Sequence, residues 1–221
     1  MPLQLVLVCG GRGTRFPGRP GGVPKACLPL HGEPLARRLL RQLGPRCTGD
    51  SVAVAAAGDP HVPALFAGRA RVVVQAEPDG VAAAIALALP YLEGDALVAL
   101  GDVVIEGSFA SDGPAPALVV WRDAPPEVTA RNFGVRERPL GVVEKPREPG
   151  LVCGLGLYLL TREVIAGFAT CPPDARGERA ITDALAHSIA AGTRYRLVDF
   201  AGRYVNVNTA EDLALAEELF A

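Results

Sequence analysis

Apolar residues in the first hundred positions come in short runs with few polar interruptions rather than in strict alternation with polar ones. Leu3–Cys9, Ser51–Ala57, Arg71–Gln75 and Ala96–Leu100 are such runs, rich in Val, Leu and Ala. Runs of this length read as strands buried on both faces, the pattern of a parallel sheet covered by helices. Helical spacing falls between them, over Leu35–Leu43 and Gly80–Leu89. This alternation predicts crossover helices and places functional loops at the carboxyl ends of the strands.

The segment Ala117–Tyr158 has a different rhythm. Val119-Val120-Trp121, Asn132–Arg136, Val142-Val143 and Leu155–Leu160 read as shorter strands, some antiparallel, broken by Pro-Pro and Arg-Pro turns. A helix is expected over Glu178–Ala191, then strands near Tyr195–Phe200 and Tyr204–Val207. Thr209 is placed to cap a last helix, Glu211–Phe220, whose first turn carries acids. The expected fold is α/β, one domain over residues 1–221. Its Rossmann-like sheet is mixed but mostly parallel and flanked by helices, with a small antiparallel β-rich insertion on the substrate side.

Composition narrows the function. With 221 residues, 49% of them hydrophobic, the chain can bury a large core. A net charge of −2 gives no reason to expect a nucleic-acid or membrane partner. Five cysteines without a paired C-x-x-C spacing argue against a disulfide framework or a zinc site, and for a reducing cytoplasm. Met1 to Cys9 carries no basic leader or cleavage pattern, so no signal peptide is expected. The longest apolar stretch, Val81 to Leu89, is too short to span a bilayer.

The candidate chemistry gathers around the basic residues. Twenty arginines accompany only two lysines, and both lysines lie in short motifs. Lys25 follows Gly10-Gly11-Arg12-Gly13-Thr14-Arg15, and Lys145 sits within Glu144-Lys145-Pro146. An ammonium is a compact point charge where guanidinium is a flat fork, so positions that keep lysine are candidates for gripping phosphate or sugar oxygens. Glycines after a strand let backbone N–H groups approach anionic oxygens, and Arg15 adds a charged fork. Phe16 replaces the third glycine of a dinucleotide fingerprint, and Arg19-Pro20 replaces the Lys-Ser/Thr of a Walker loop. Asp102, at the end of the Ala96–Leu100 strand, is well placed for Mg²⁺, which takes few protein ligands. Asn206 reads equally as a neutral second ligand or as an Asx turn before the last helix.

In this order the motifs resemble the sugar-1-phosphate nucleotidylyltransferase family, of the nucleotide-diphospho-sugar transferase superfamily. Gly10 to Arg15 with Pro24-Lys25 is similar to its N-terminal signature, and Gln75 to Ala82 to the base-reading stretch of glucose-1-phosphate thymidylyltransferases. Gly101-Asp102, Asn132-Phe133-Gly134-Val135, Glu144-Lys145-Pro146, Gly156-Leu157-Tyr158 and Glu178 to Asp183 match further family elements. The resemblance implies a nucleotide-binding half (residues 1–112) and a sugar-phosphate-binding half (113–221). It implies catalytic roles for Arg15, Lys25 and Asp102, and nucleotide contacts from Gly10, Gly11, Gly13, Thr14, Gln75 and Gly80. Gly134, Glu144, Lys145 and Gly156 would bind the sugar phosphate, and Asp102 with Asn206 would hold Mg²⁺.

The implied reaction is in-line attack of a sugar-1-phosphate oxygen on the α-phosphorus of a nucleoside triphosphate, with dTTP or UTP favoured. Two polyanions repel each other, which explains why Arg15, Lys25, Lys145 and Mg²⁺ should converge. Asn206 to Leu213 also looks like the ending of molybdopterin guanylyltransferases. A molybdopterin, phosphonate or alditol phosphate acceptor therefore stays open. So does a catalytically silent nucleotide-sugar sensor, although the retention of Arg15, Lys25 and Asp102 argues for an enzyme.

Overall fold

The structure is a computed structural model that describes residues 2–10 and 22–221. Its first half runs β1 (Leu3–Val8), β2 (Pro29–Leu30), β3 (Glu33–Pro34), α1 (Leu35–Leu43), β4 (Val52–Ala56), α2 (His61–Phe66), β5 (Arg71–Gln75), α3 (Val81–Ala86), β6 (Asp95–Leu100) and β7 (Val103–Ser108). The second half continues with β8 (Ala117–Trp121), α4 (Pro126–Arg131), β9 (Phe133–Glu137), β10 (Leu140–Glu144), β11 (Val152–Leu160), α5 (Arg162–Thr170), α6 (Ile181–Ala190), β12 (Arg196–Asp199), β13 (Ala201–Asn206) and α7 (Ala210–Leu219).

Strands β5, β4, β1 and β6 lie side by side and parallel. β11 joins antiparallel to β6, and β8 lies antiparallel along the other side of β11, followed by a parallel β12. The first half of β11 extends beyond β6 and pairs there with β9, which carries the hairpin partner β10. The antiparallel strands expected as an insertion are thus woven into the main sheet through β11. A separate antiparallel ribbon pairs β7 with β13.

Both faces of the sheet are covered, as the continuous apolar runs predict. Along β1, Leu5 and Leu7 pack with Leu39, Leu43 and Phe66 on one side. Val6 and Val8 pack with Ile85, Ile165, Phe168 and Leu185 on the other. A smaller cluster, including Leu35, Val104, Val205 and Phe220, seats α7 against the β7–β13 ribbon. Fully burying a Leu, Ile or Phe side chain contributes about 1.5–3 kcal/mol, so these layers are the main source of stability.

Several elements differ from expectation. α3 ends at Ala86 rather than Leu89, because Pro90 biases its predecessor away from helix and the chain tightens into a 3₁₀ turn over Leu89–Tyr91. α6 begins at Ile181 rather than Glu178. The Arg179 backbone is engaged elsewhere, donating to Asp79 O at 2.8 Å and accepting from Ala82 N at 3.0 Å. The strand that reaches Leu100 is followed immediately by β7, whose Val103-Val104-Ile105 stretch pairs with β13.

Candidate active site

β1 leads toward β4 on one side, while β6 lies on its other side, so a crevice opens at their carboxyl ends. Gly10, Lys25, Val81 and Asp102 line a cleft there. Gly101 N–H donates to Val8 O at 2.8 Å. A Cβ on Gly101 would stand 2.9 Å from the Ala26 methyl, so only glycine lets the 3₁₀ turn Lys25–Cys27 pack this closely against β6. That packing carries Lys25 to Asp102. The Lys25 ammonium donates to the Asp102 carboxylate and, at 3.0 Å, to Asn208 Oδ1. The two charged side chains are 19% and 22% exposed, enough to meet a ligand from solvent.

Asn208 joins this candidate site through Lys25, and sequence reasoning did not single it out. An Asn-x-Asn spacing in extended chain places both side chains on one side, and that signal was available at Asn206 and Asn208. α7 fixes the segment through a capping box. Thr209 Oγ1 accepts from Asp212 N at 3.3 Å, and Asp212 Oδ2 accepts from Asn208 N and Thr209 N, each at 2.9 Å. Arg131 pairs with the remaining oxygen of the buried Asp212 carboxylate.

Asn206 ends β13, and Val207 N donates to Asp102 O at 2.8 Å, which holds the two candidate metal ligands on neighbouring backbone. Asn206 Nδ2 donates to Asn132 Oδ1 at 2.9 Å. Its Oδ1 is buried without a hydrogen-bond partner among the described residues. An unsatisfied buried acceptor is costly, and a cation would relieve it. No group of three His, Cys, Asp or Glu side chains is arranged for a metal among the described residues. The donor set is therefore one carboxylate and one amide oxygen. This fits Mg²⁺, which commonly binds through one or two carboxylates and completes its shell with water and phosphate oxygens.

The remaining expected site residues fall into two groups. Gln75 Nε2 donates to Gly80 O at 3.1 Å, so Gln75 supports the loop that leads into α3. Gly80 has φ 92°, and a Cβ there would lie 2.4 Å from Arg179 O. Arg179 also pairs with the Asp79 carboxylate, locking this loop to the segment before α6. On the far side, Glu144 accepts from the buried Thr182 hydroxyl at 3.1 Å. Lys145 adopts the left-handed conformation at φ 44°, and its N–H donates to Asn132 O at 2.8 Å. Gly134 and Gly156 serve packing. A Cβ on Gly134 would meet Leu151 and Pro146, and one on Gly156 would meet Val103 and Leu100. Gly11, Gly13, Thr14 and Arg15 lie outside the described residues.

Between the two groups sits Tyr158, stacked on Phe133 with ring centroids 5.9 Å apart. Burial holds its hydroxyl far above the usual phenol range, and the Glu144 and Asp102 carboxylates push the same way. The cleft thiols are not poised as nucleophiles. Burial raises Cys9 well above the usual range, helped by Cys27, Asp102 and Asp59. Burial, with Asp59, also pushes Cys27 up to about 11.

Residues 5–110 match the model of the MobA-like NTP transferase domain. Over 230 residues, 99% of this chain, the sequence is 24% identical to the bifunctional protein GlmU of Methanococcus vannielii. Over 234 residues, 96% of this chain, it is 27% identical to the glucose-1-phosphate thymidylyltransferase of Streptomyces griseus. The alignments span 55% and 64% of the length of those two relatives. Among solved structures, the inositol-1-phosphate CTP transferase of T. maritima superposes with a TM-score of 0.82 at 18% identity, covering 98% of this chain and 94% of that one. A UDP-glucose pyrophosphorylase complexed with UDP-glucose superposes with a TM-score of 0.75 at 19% identity, covering all of this chain and 98% of that one. In motif order and in the crevice between β1 and β6 the chain is thus similar to nucleotidyltransferases of the nucleotide-diphospho-sugar transferase family, and it shares their fold.

Proposed function

We propose that this protein transfers a nucleoside monophosphate from a nucleoside triphosphate to the phosphate of a sugar-1-phosphate, releasing pyrophosphate. The observation that carries the reading is the meeting of Lys25, Asp102 and Asn208 in the crevice, with Asn132 linking Asn206 to the Glu144–Lys145 edge. In this reading an acceptor phosphate oxygen forms a bond to the α-phosphorus. The bond from that phosphorus to the α,β-bridging oxygen breaks, and pyrophosphate leaves with the electron pair. No covalent enzyme intermediate is needed, so the side chains act by alignment and charge neutralisation.

Lys25 supplies a positive charge to the triphosphate, and its ammonium moves from the Asp102 carboxylate to phosphate oxygens as substrate enters. Gly10 and the Gln75–Gly80 loop border the nucleoside, with Gln75 able to donate and accept at a base edge. Resemblance to thymidylyltransferases in that loop favours dTTP or UTP. Glu144 accepts from sugar hydroxyls, and Lys145, presented by its left-handed backbone, binds the acceptor phosphate. Mg²⁺ would be held by Asp102 and Asn206, and when bound it supplies charge neutralisation at the phosphates. All five cysteines are free thiols. No helix among the described residues is long and apolar enough to cross a membrane.

One observation favours a second reading of the acceptor. The match over residues 5–110 is to a MobA-like domain, and the fold also superposes on an inositol-1-phosphate CTP transferase. An acceptor phosphate carried by an alditol or a pterin is the alternative. Pyrophosphate release with nucleoside triphosphate alone, with a sugar-1-phosphate and with an alditol phosphate separates the readings. Release that depends on the sugar-1-phosphate supports the proposal, and release that depends only on another acceptor overturns it.

A further inference from the structure

Resting on the transferase reading above, we infer that Asn132 is a positioning residue whose amide orientation imposes an amide, not a carboxylate, at position 206. Asn132 closes α4, and its Nδ2 donates to Val128 O at 2.8 Å. A carbonyl can only accept, so this bond fixes which end of the Asn132 amide points away. Oδ1 then accepts from the Tyr204 hydroxyl at 3.2 Å and from Asn206 Nδ2 at 2.9 Å. Tyr204 is itself buried at 4% exposure, so it cannot swing away to make room.

The chain of constraints ends at Asn206. Its donor end is committed to Asn132, which leaves Oδ1 as the buried oxygen without a partner among the described residues. An ionised carboxylate at this position has only acceptors, so one of its oxygens would confront Asn132 Oδ1. Turning the Asn132 amide over would relieve that contact but break the bond to Val128 and set two acceptors face to face. Asn132 thereby selects a neutral ligand and aims its free oxygen. The metal position would then carry one protein carboxylate, Asp102, and depend more on phosphate oxygens for its remaining charge.

The test is a four-protein cycle: parent, Asn132→Ala, Asn206→Asp and the double variant, with melting temperatures confirming folding. Mn²⁺ binding in the presence of inorganic pyrophosphate, read by the electron paramagnetic resonance of free Mn²⁺, requires no turnover and no knowledge of the base. Asn132→Ala is expected to weaken Mn²⁺ binding about tenfold in the parent background, as for loss of a group that orients a ligand. In the Asn206→Asp background the same change is expected to tighten binding, because it removes the opposing oxygen. A merely structural role would weaken both. If Asn132→Ala does not fold, Asn132→Ser replaces it in the cycle, since a hydroxyl can donate to the carboxylate introduced by Asn206→Asp. An effect of the same sign in both backgrounds, or no effect in either, overturns the inference alone. A parent that binds no Mn²⁺ with pyrophosphate overturns the transferase reading and this inference with it.

Discussion

Lys25 and Asp102, 77 residues apart in sequence, form an ion pair at the mouth of the crevice, and Asn208 shares the same ammonium. In the absence of substrate, each charge is the other's counter-ion. In the proposed reaction phosphates and a metal ion exchange with the pair, which would put both residues on the path by which substrate enters.

Asp102→Ala is expected to lower turnover by at least about a hundredfold, the order lost when a transition-state electrostatic partner is removed. The melting temperature should stay near the parent's, because the Asp102 carboxylate is partly exposed and the Lys25 ammonium it leaves behind can be solvated. Steady-state kinetics beside a melting curve checks this. Near-parent turnover in a folded variant would remove Asp102 from the site.

Lys25→Arg and Lys145→Arg keep the charge and change its shape. Lys25 sits between a carboxylate and an amide oxygen, a gap cut for an ammonium. Lys25→Arg is expected to act mainly on kcat, since pyrophosphate charge develops in the transition state. Lys145→Arg should mainly raise the KM for the acceptor. If both variants stay within about threefold of the parent, under ~1 kcal/mol, the two ammonium groups have no special fit.

Gly80→Ala tests the lock between the base-side loop and Arg179. The new methyl needs φ 92° and meets the Arg179 backbone at 2.4 to 2.7 Å. A loss of about 1–3 kcal/mol is expected from the backbone strain alone, together with a raised KM for the nucleoside triphosphate. Urea unfolding and kinetics read the two effects. Unchanged stability would mean that Arg179 yields freely.

Much of this arrangement was legible in the sequence. The runs at Leu3–Cys9 and Arg71–Gln75 predict strands close to those found: the first is buried, and the second, at the end of the strand order, keeps only a short Val-rich stretch and is half-exposed. Lys25, Asp102 and Asn206 could be singled out because chemistry restricts the residue type there. What was not legible depends on contacts between distant segments. The helix before Ile181 is lost to the Arg179–Asp79 bridge, which nothing local announces. The packing role of Gly134 rests on Leu151 and Pro146, which come close only through the β9–β10 hairpin. α2 and α4, with six residues each, are too short to show a helical period.

Alkaline pH should destabilise the fold through its thiols. Burial pushes Cys27, Cys47 and Cys153 each up to about 11 from an ordinary value of 9.0. Their folded values lie above the unfolded one, so the stabilisation is complete below pH 9 and is lost as pH rises toward 11. The melting temperature should fall across that window. In Cys153→Ala the fall should be shallower, because Cys153 is buried in the core. An equal slope in parent and variant would show that this thiol ionises as readily folded as unfolded.

The most direct measurement of the central claim is the mass of the product formed from each of the common nucleoside triphosphates with a panel of sugar-1-phosphates and Mg²⁺. The account predicts a nucleoside diphosphate sugar and an equal amount of pyrophosphate, with dTTP or UTP the best donor. No nucleotide sugar with any pair, or a nucleotide joined only to a non-sugar phosphate, would contradict it.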